Sequence, residues 1–249
     1  MTENIVRRAL IACFALLLAG VAEAATIKVL CDGPLAPALP AVGEAFKKKT
    51  GHRVEFAFAP SPVIHKRVTD GESADVLIVQ PDFLAELAAK GKVDPGDHPA
   101  FGRVGIGIAA RADAPARDIR TADALKQALR RADSIVFNTV ASGNEFGKVL
   151  ERLGIAEAVK AKIVRTDPAQ TFERILAGSG DDLAVATITL IRADKRLKLI
   201  GALPAELQST IQYAAVPMTG APNAKAAVEF VRFLFSKPMK AQLAAAGVE

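Results

Sequence analysis

Short apolar runs that alternate with helix-period segments constrain this chain more than any other feature. DVLIV at residues 75–79 and LAVAT at 183–187 are continuous runs of the kind that a parallel sheet covers on both faces. The order strand, turn, helix, strand recurs along the chain and predicts an α/β fold with a mixed, mostly parallel sheet flanked by helices. Residues 134–150, SIVFNTVASGNEFGKVL, show the unit most completely. A buried strand at 135–137 leads through a polar loop into a helix. Val149, Leu150 and Leu153 share one face of that helix, and Gly154 stops it. Ser142 stands three residues before Glu145, the spacing of a capping box, which assigns Ser142 to the helix cap. A corner between a strand's carboxyl end and a helix's amino end is where α/β proteins hold ligands. Unsatisfied N–H groups and the positive end of the helix dipole favour an anion there.

Strands are predicted at residues 26–31, 53–59 and 75–79. Helices follow from the Asp32-Gly33-Pro34 turn to about residue 49, over 61–68 and over 81–90. Pro34, Pro37 and Pro40 recur at the start of the first helix, and Pro40 inside it would remove a backbone hydrogen bond. Ser61 reads as an N-cap with Pro62 at the first helical position. A Pro/Gly/His passage at 94–101 precedes a strand at 104–110 that bridges into a second lobe. There Thr121 caps a helix through Arg131 and the 134–150 unit follows. Residues 163–164, 169–177, 183–187 and 197–200 read as strand, helix, strand and strand. A return strand at 213–216 and helices at 224–235, capped by Asn223, and 238–246 are expected to pack back on the first lobe. Lobe 1 is then residues 25–103 with 217–249, and lobe 2 is residues 104–216.

The 249 residues suffice for one large or two small domains, and 51% apolar residues exclude a disordered chain. The net charge of +5 is dispersed, and its densest run, Lys47-Lys48-Lys49, suits a helix C-terminus. With no Trp, one Tyr and no basic–aromatic alternation, nucleic acid is not an expected partner. Residues 1–24 read as a secretory signal: Arg7 and Arg8, an apolar run from Ala9 to Ala22, and cleavage after Ala22-Glu23-Ala24. The run falls short of the ~20 residues that span a bilayer, and no Cys sits just after it to carry a lipid. The mature chain is therefore expected to be secreted, from Ala25 onward. Cys13 leaves with the signal and Cys31 remains alone, which leaves no internal disulfide.

Four corners lie at carboxyl ends of strands: Asp32-Gly33, Pro60-Ser61, Ser142-Gly143 and Thr187. Two come from each lobe, and lobes that face each other would aim all four into one cleft. Glycines and small hydroxyls offer the N–H and O–H donors that a bare oxyanion needs. Taken singly, Ser61 and Ser142 are equally well explained as helix caps; the repeated position carries the case. Asp32 repels an anion unless its carboxylate turns away, and a turn or cap residue is its plainer reading. Lys66, Arg67 and Arg192 follow binding corners, but solvated helix faces account for them. His52, His65 and His98 lack metal-ligand spacing. VASGN lacks the G-x-S-x-G elbow around Ser142, and no P-loop, paired Cys or dinucleotide fingerprint occurs. The expectation is a monomeric binding protein without cofactor or protein-ligated metal, not an enzyme. A secreted sensor or an enzyme on the same fold is the rival of another class.

The order VLCDGPL, AFKKKTGHRVEFAFAPSPV and SADVLIV, then GIGIAARADAP, VASGNEFGKVLERLGI and LIGALPAELQ, resembles the periplasmic molybdate-binding proteins of ABC importers across nearly all of the mature chain. The resemblance implies a two-lobed periplasmic binding protein type II fold with two crossing strands. It also implies a cleft that closes on a small oxyanion such as molybdate or tungstate. An inner-membrane permease and ATPase would be the partners, and the binding protein itself would do no chemistry. By position, the oxyanion contacts fall at Asp32-Gly33, Ser61 and Ser142, near Thr171 and near Thr187. Two positions depart from the family pattern. The first loop reads Cys31-Asp32-Gly33-Pro34-Leu35 where the family usually offers a serine, and Thr187 stands where a Tyr is common. A lost donor and an added Asp count against molybdate. The shorter Thr187 leaves room for a small organic acid, the alternative ligand.

Overall fold

The computed structural model describes residues 24–249. The expected secretory signal, apart from Ala24, and Cys13 lie outside the described residues. β1 (Thr26–Asp32) is followed by one 3-10 turn, Gly33–Leu35, and then by α1 (Leu39–Thr50). The prolines thus divide the expected single helix. Pro40 is the second residue of α1, where a missing N–H costs nothing because that group has no intrahelical acceptor. Gly51, at φ 83°, closes α1. β2 (Arg53–Ala59), α2 (Ser61–Thr69), β3 (Val76–Val79) and α3 (Pro81–Ala89) complete the first series. β4 (Ala100–Arg111) then leads to α4 (Ala122–Arg131), whose cap Thr121 accepts from the Ala124 N–H at 3.2 Å.

The second series is β5 (Ser134–Asn138), α5 (Ala141–Arg152), α6 (Ala156–Val159), β6 (Ile163–Thr166), α7 (Thr171–Leu176), β7 (Asp182–Thr187), α8 (Ile188–Ala193) and β8 (Leu197–Ala202). α6 and α8 were not expected, because 4 and 6 residues are too few to show a helical period. β9 (Thr210–Pro217), α9 (Ala224–Leu234) and α10 (Lys237–Ala245) close the chain. No helix among the described residues is long and apolar enough to cross a membrane.

The strands run in the order β2-β1-β3-β9-β4-β7-β5-β6, with β8 beside β4. β1 is parallel to β2 and β3, and β5 is parallel to β6 and β7. The two antiparallel crossings are β4 and β9. The first half of β4 pairs with β9, from Ala100 with Ala214 to Gly105 with Thr210. From Ile106 onward β4 pairs instead with β7 and β8. β9 continues back to β3, pairing Val79 with Ala214 and Val76 with Pro217. One continuous strand therefore enters both half-sheets, and a second returns beside it.

Alternation along the strands gives each half-sheet a core on both faces. Ile27, Val29 and Cys31 face α1, α9 and α10, with Phe46, Phe230, Leu234 and Leu243 in the same core. Leu30 and Leu77 turn the other way, onto Ile64 of α2 and Leu84 and Leu87 of α3. In the second half-sheet Ile135 and Phe137 pack on Leu125, Leu129, Phe146 and Leu150. Val136 turns instead to Ile175 and Ile191. Burying each of the Val, Leu, Ile and Phe side chains among these contributes about 1.5–3 kcal/mol. Asn223 holds the cap position of α9 but does not cap it through its side chain. Its amide donates to the Thr26 carbonyl and to Asp75. The buried Asp75 carboxylate also accepts from the backbone N–H groups of Lys28 and Asn223, at 2.8 and 2.7 Å, which ties α9 to the first half-sheet.

Candidate functional site

The carboxyl ends of β1, β2, β3, β5, β6 and β7 open into one cleft of about 370 Å³, backed by Ile211 and Tyr213 of β9. Asp32, Gly33, Ser61, Ser142 and Thr187 all line it. Gly143 and Thr171 do not. Gly143 lies one residue deeper in α5, where its N–H donates to Asn138 Oδ1 at 3.2 Å. A side chain there would collide with the Asn138 carbonyl, so glycine is what lets α5 start against the end of β5. Thr171 is buried, with its hydroxyl 3.0 Å from that of Thr166, while Asp167, Pro168 and Ala169 form the wall beside it.

On the β1–β3 side the polar groups are bonded to one another. Asp32 is 5% exposed, and its Oδ2 accepts from the Ser61 N–H at 3.2 Å, from the Ser61 hydroxyl, and from Gln80 Nε2 at 3.2 Å. The Gln80 N–H in turn donates to Ser61 Oγ. Ser61 is thus not the cap of α2. Pro60 occupies that position, and the Ser61 hydroxyl is drawn to the carboxylate instead. Nor does Asp32 turn away from the cleft; it forms part of the wall. Burial pushes its carboxyl above the usual range, while the bonds from Ser61, Gln80 and the Gly33 backbone pull it back down. The same burial, with Asp32 nearby, raises the Tyr213 hydroxyl well above its ordinary value.

The β5–β7 side has donors to spare. Asn138 performs the capping that the sequence pattern assigned to Ser142. Its Oδ1 accepts from the N–H groups of Val140 and Gly143, and its Nδ2 donates to Ser142 Oγ at 2.9 Å. Ser142 already sits inside the first turn of α5, with Val140 at the cap position. The capping box fails from its other end too, because the Glu145 carboxylate bonds Lys148 and Ser209. Since Ser142 Oγ accepts from Asn138, its own hydrogen is left for the cleft. The N–H groups of Ala141 and Ser142 open the helix and have no acceptor within it. Thr187 is 2% exposed, and its Oγ1 has no hydrogen-bond partner among the described residues.

Among the described residues no Lys or Arg lines the cleft, and the exposed Asp167 is a second acidic residue on its rim. Lys66 and Arg67 pair outside it with Asp70 and Glu72, and Arg192 is not part of the lining. The remaining wall is apolar, with Pro34, Phe58, Val140, Leu190 and Ile211 among its residues. Sequence reasoning missed Gln80 and Asn138, although each directly ends an apolar strand, VLIVQ and SIVFN, and the strand-end rule applied to it. Tyr213 left no local signal, since only the return of β9 brings it to the cleft.

The family of bacterial extracellular solute-binding proteins matches residues 27–249. An aconitate isomerase from Pseudomonas sp. is 28% identical over 218 residues, which are 85% of this chain and 83% of that protein. The molybdate-binding protein ModA of Azotobacter vinelandii is 26% identical over 233 residues, 91% of each. The structure of the A. vinelandii periplasmic molybdate-binding protein superposes with a TM-score of 0.74 at 20% identity, covering 90% of this chain and 98% of that one. This likeness shows the two-lobed, mixed α/β architecture of the type II periplasmic binding proteins. The chain belongs to the bacterial extracellular solute-binding protein family.

Proposed function

We propose that this chain captures a small organic acid in the cleft between two lobes, residues 25–103 with 217–249 and residues 104–216. It would deliver that solute in the periplasm to an ABC permease and its ATPase. One observation carries the choice of ligand: the cleft is chemically asymmetric. Its β5–β7 side presents unpaired donors, the Ser142 hydroxyl, the Thr187 hydroxyl and the first N–H groups of α5. Its β1–β3 side is already filled by the Asp32 carboxylate. A carboxylate on the donor side, with its carbon skeleton along the apolar wall, satisfies both. A bare molybdate or tungstate would meet donors from one side only and face Asp32 from the other. The names of the two relatives point to these two ligand classes, and the cleft chemistry favours the organic one. Closure of the lobes about β4 and β9 would select by fit, because a mismatched solute leaves buried donors unpaired at about 1–3 kcal/mol each.

A thermal-shift screen of the mature chain tests this reading. A ligand that binds only the folded state raises stability by RT ln(1 + [L]/Kd). Aconitate and short hydroxy- and dicarboxylic acids form one set, and molybdate, tungstate and sulfate the other. A shift confined to the inorganic set would refute the organic-acid reading. A second reading, catalysis, has its own observation: Asp32 is a buried carboxyl placed inside the cleft, and one relative carries the name of an isomerase. Proton NMR of a bound unsaturated acid distinguishes the two, since an unchanged acid leaves binding alone.

A further inference from the structure

We propose that Asp32 is a resident anion that fills, from within the chain, an oxyanion nest in the β1–β3 wall, and so restricts the cleft to acids whose far end donates a hydrogen bond. The inference rests on the reading of this cleft as the solute site. Three donors converge on one oxygen of Asp32: the Ser61 N–H, the Ser61 hydroxyl and the Gln80 side-chain amide. The first is the opening N–H of α2, a nine-residue helix whose dipole also favours a negative charge there. The hydroxyl cannot be spared for a solute, because Ser61 Oγ already accepts from the Gln80 N–H and directs its hydrogen to Asp32. An anionic solute therefore finds this wall occupied by a charge of its own sign.

Across the cleft the position is reversed. Thr187 Oγ1 is buried with no partner among the described residues, a cost that a bound solute would relieve. The acid that fits places its carboxylate at Ser142 and Thr187 and turns a hydroxyl toward Asp32, which accepts the hydrogen bond. An acid with a second carboxylate at that end is repelled by the Asp32 carboxylate. Asp32 is on this account the residue that determines specificity, and the nest beneath it is a latent anion site.

Removing the side chain exposes the nest. In Asp32→Ala, millimolar formate is expected to raise the melting temperature by more than it raises that of the wild type, whose free donors lie only at Ser142 and Thr187. Adding Ser61→Ala to the variant should remove that excess response. A folded Asp32→Ala protein that formate and acetate stabilise no more than the wild type overturns the proposal. Should Asp32→Ala not fold, Asp32→Asn keeps the shape and tests the same idea with γ-hydroxybutyrate and butyrate. The wild type should prefer γ-hydroxybutyrate by about tenfold or more, the usual worth of a hydrogen bond to a charged group. Asp32→Asn should lose most of that preference, and a preference that survives contradicts the proposal. The formate response does not depend on which solute is natural. If it appears while no organic acid binds the wild type, the nest stands and the organic-acid reading falls.

Discussion

Two glycines in α5 provide a matched test of how the cleft is held. An added Cβ at Gly143 would lie 2.7 Å from the carbonyl carbon of Asn138 and 2.9 Å from its Oδ1, and closer still to the carbonyl oxygen. Backbone cannot yield as a flexible side chain does, so in Gly143→Ala the start of α5 must move off the end of β5. Overpacking of this kind costs about 1–3 kcal/mol. The shift also breaks the bonds from the Val140 and Gly143 N–H groups to Asn138, at roughly 1 kcal/mol each. The expected loss is thus about 3–5 kcal/mol. At roughly 2–4 °C per kcal/mol, the lower figure alone lowers the melting temperature of a chain this size by about 6–12 °C. Gly147 is four residues on in the same helix, and nothing lies within 4 Å of the Cβ it would gain. Gly147→Ala is expected to stabilise the protein by about 0.5–1 kcal/mol. Calorimetric scans of both variants check the pair. If Gly143→Ala melts within a degree or two of Gly147→Ala, the packing at the β5–α5 corner is not what holds the cleft wall.

Three further outcomes are expected. Thr187→Val replaces an unpaired buried hydroxyl by a methyl group, so the ligand-free protein should gain about 1–3 kcal/mol while its affinity for the solute falls, read by thermal scan and titration. Ser142→Ala should leave the fold intact and weaken solute binding by about 1–3 kcal/mol, measured by calorimetric titration. Acid stability should depend on Glu72, which Arg67 and then Lys28 hold down to about pH 2 from an ordinary 4.5. Its folded value is depressed, so the stabilisation is present above about pH 4.5 and is lost as the pH falls toward 2. Denaturant titrations of Glu72→Gln should show a flatter loss across that window than the wild type.

Much of the fold was legible because two-sided burial leaves an unmistakable pattern. VLIV and LAVAT read as buried strands, and the bounds of β2 and α4 emerged from the alternation of RVEFAFA and from Thr121 as a cap. Where local capping patterns met tertiary competition, they misled. Ser142 and Ser61 both have the sequence setting of an N-cap, yet Asn138 does the capping in one case and Asp32 claims the hydroxyl in the other. Both partners sit at strand ends, Asn138 four residues upstream and Asp32 twenty-nine. The second distance lies outside any local motif. The same holds for Tyr213, which reaches the cleft only through the pairing of β9 with β3 and β4. Asp32 was recognised from sequence as an obstacle to an anion. Its meaning changed only when its three donors could be seen.

The most direct test of the central claim is a calorimetric titration of the mature protein with the organic acid that gives the largest thermal shift, repeated with Ser142→Ala/Thr187→Val and with molybdate. The account expects the acid to bind the wild type, the double variant to lose at least tenfold in affinity at the ~1–3 kcal/mol expected per lost donor, and molybdate to bind weakly or not at all. Tight molybdate binding that survives in the double variant would contradict it, because the donors that hold the solute would then lie elsewhere.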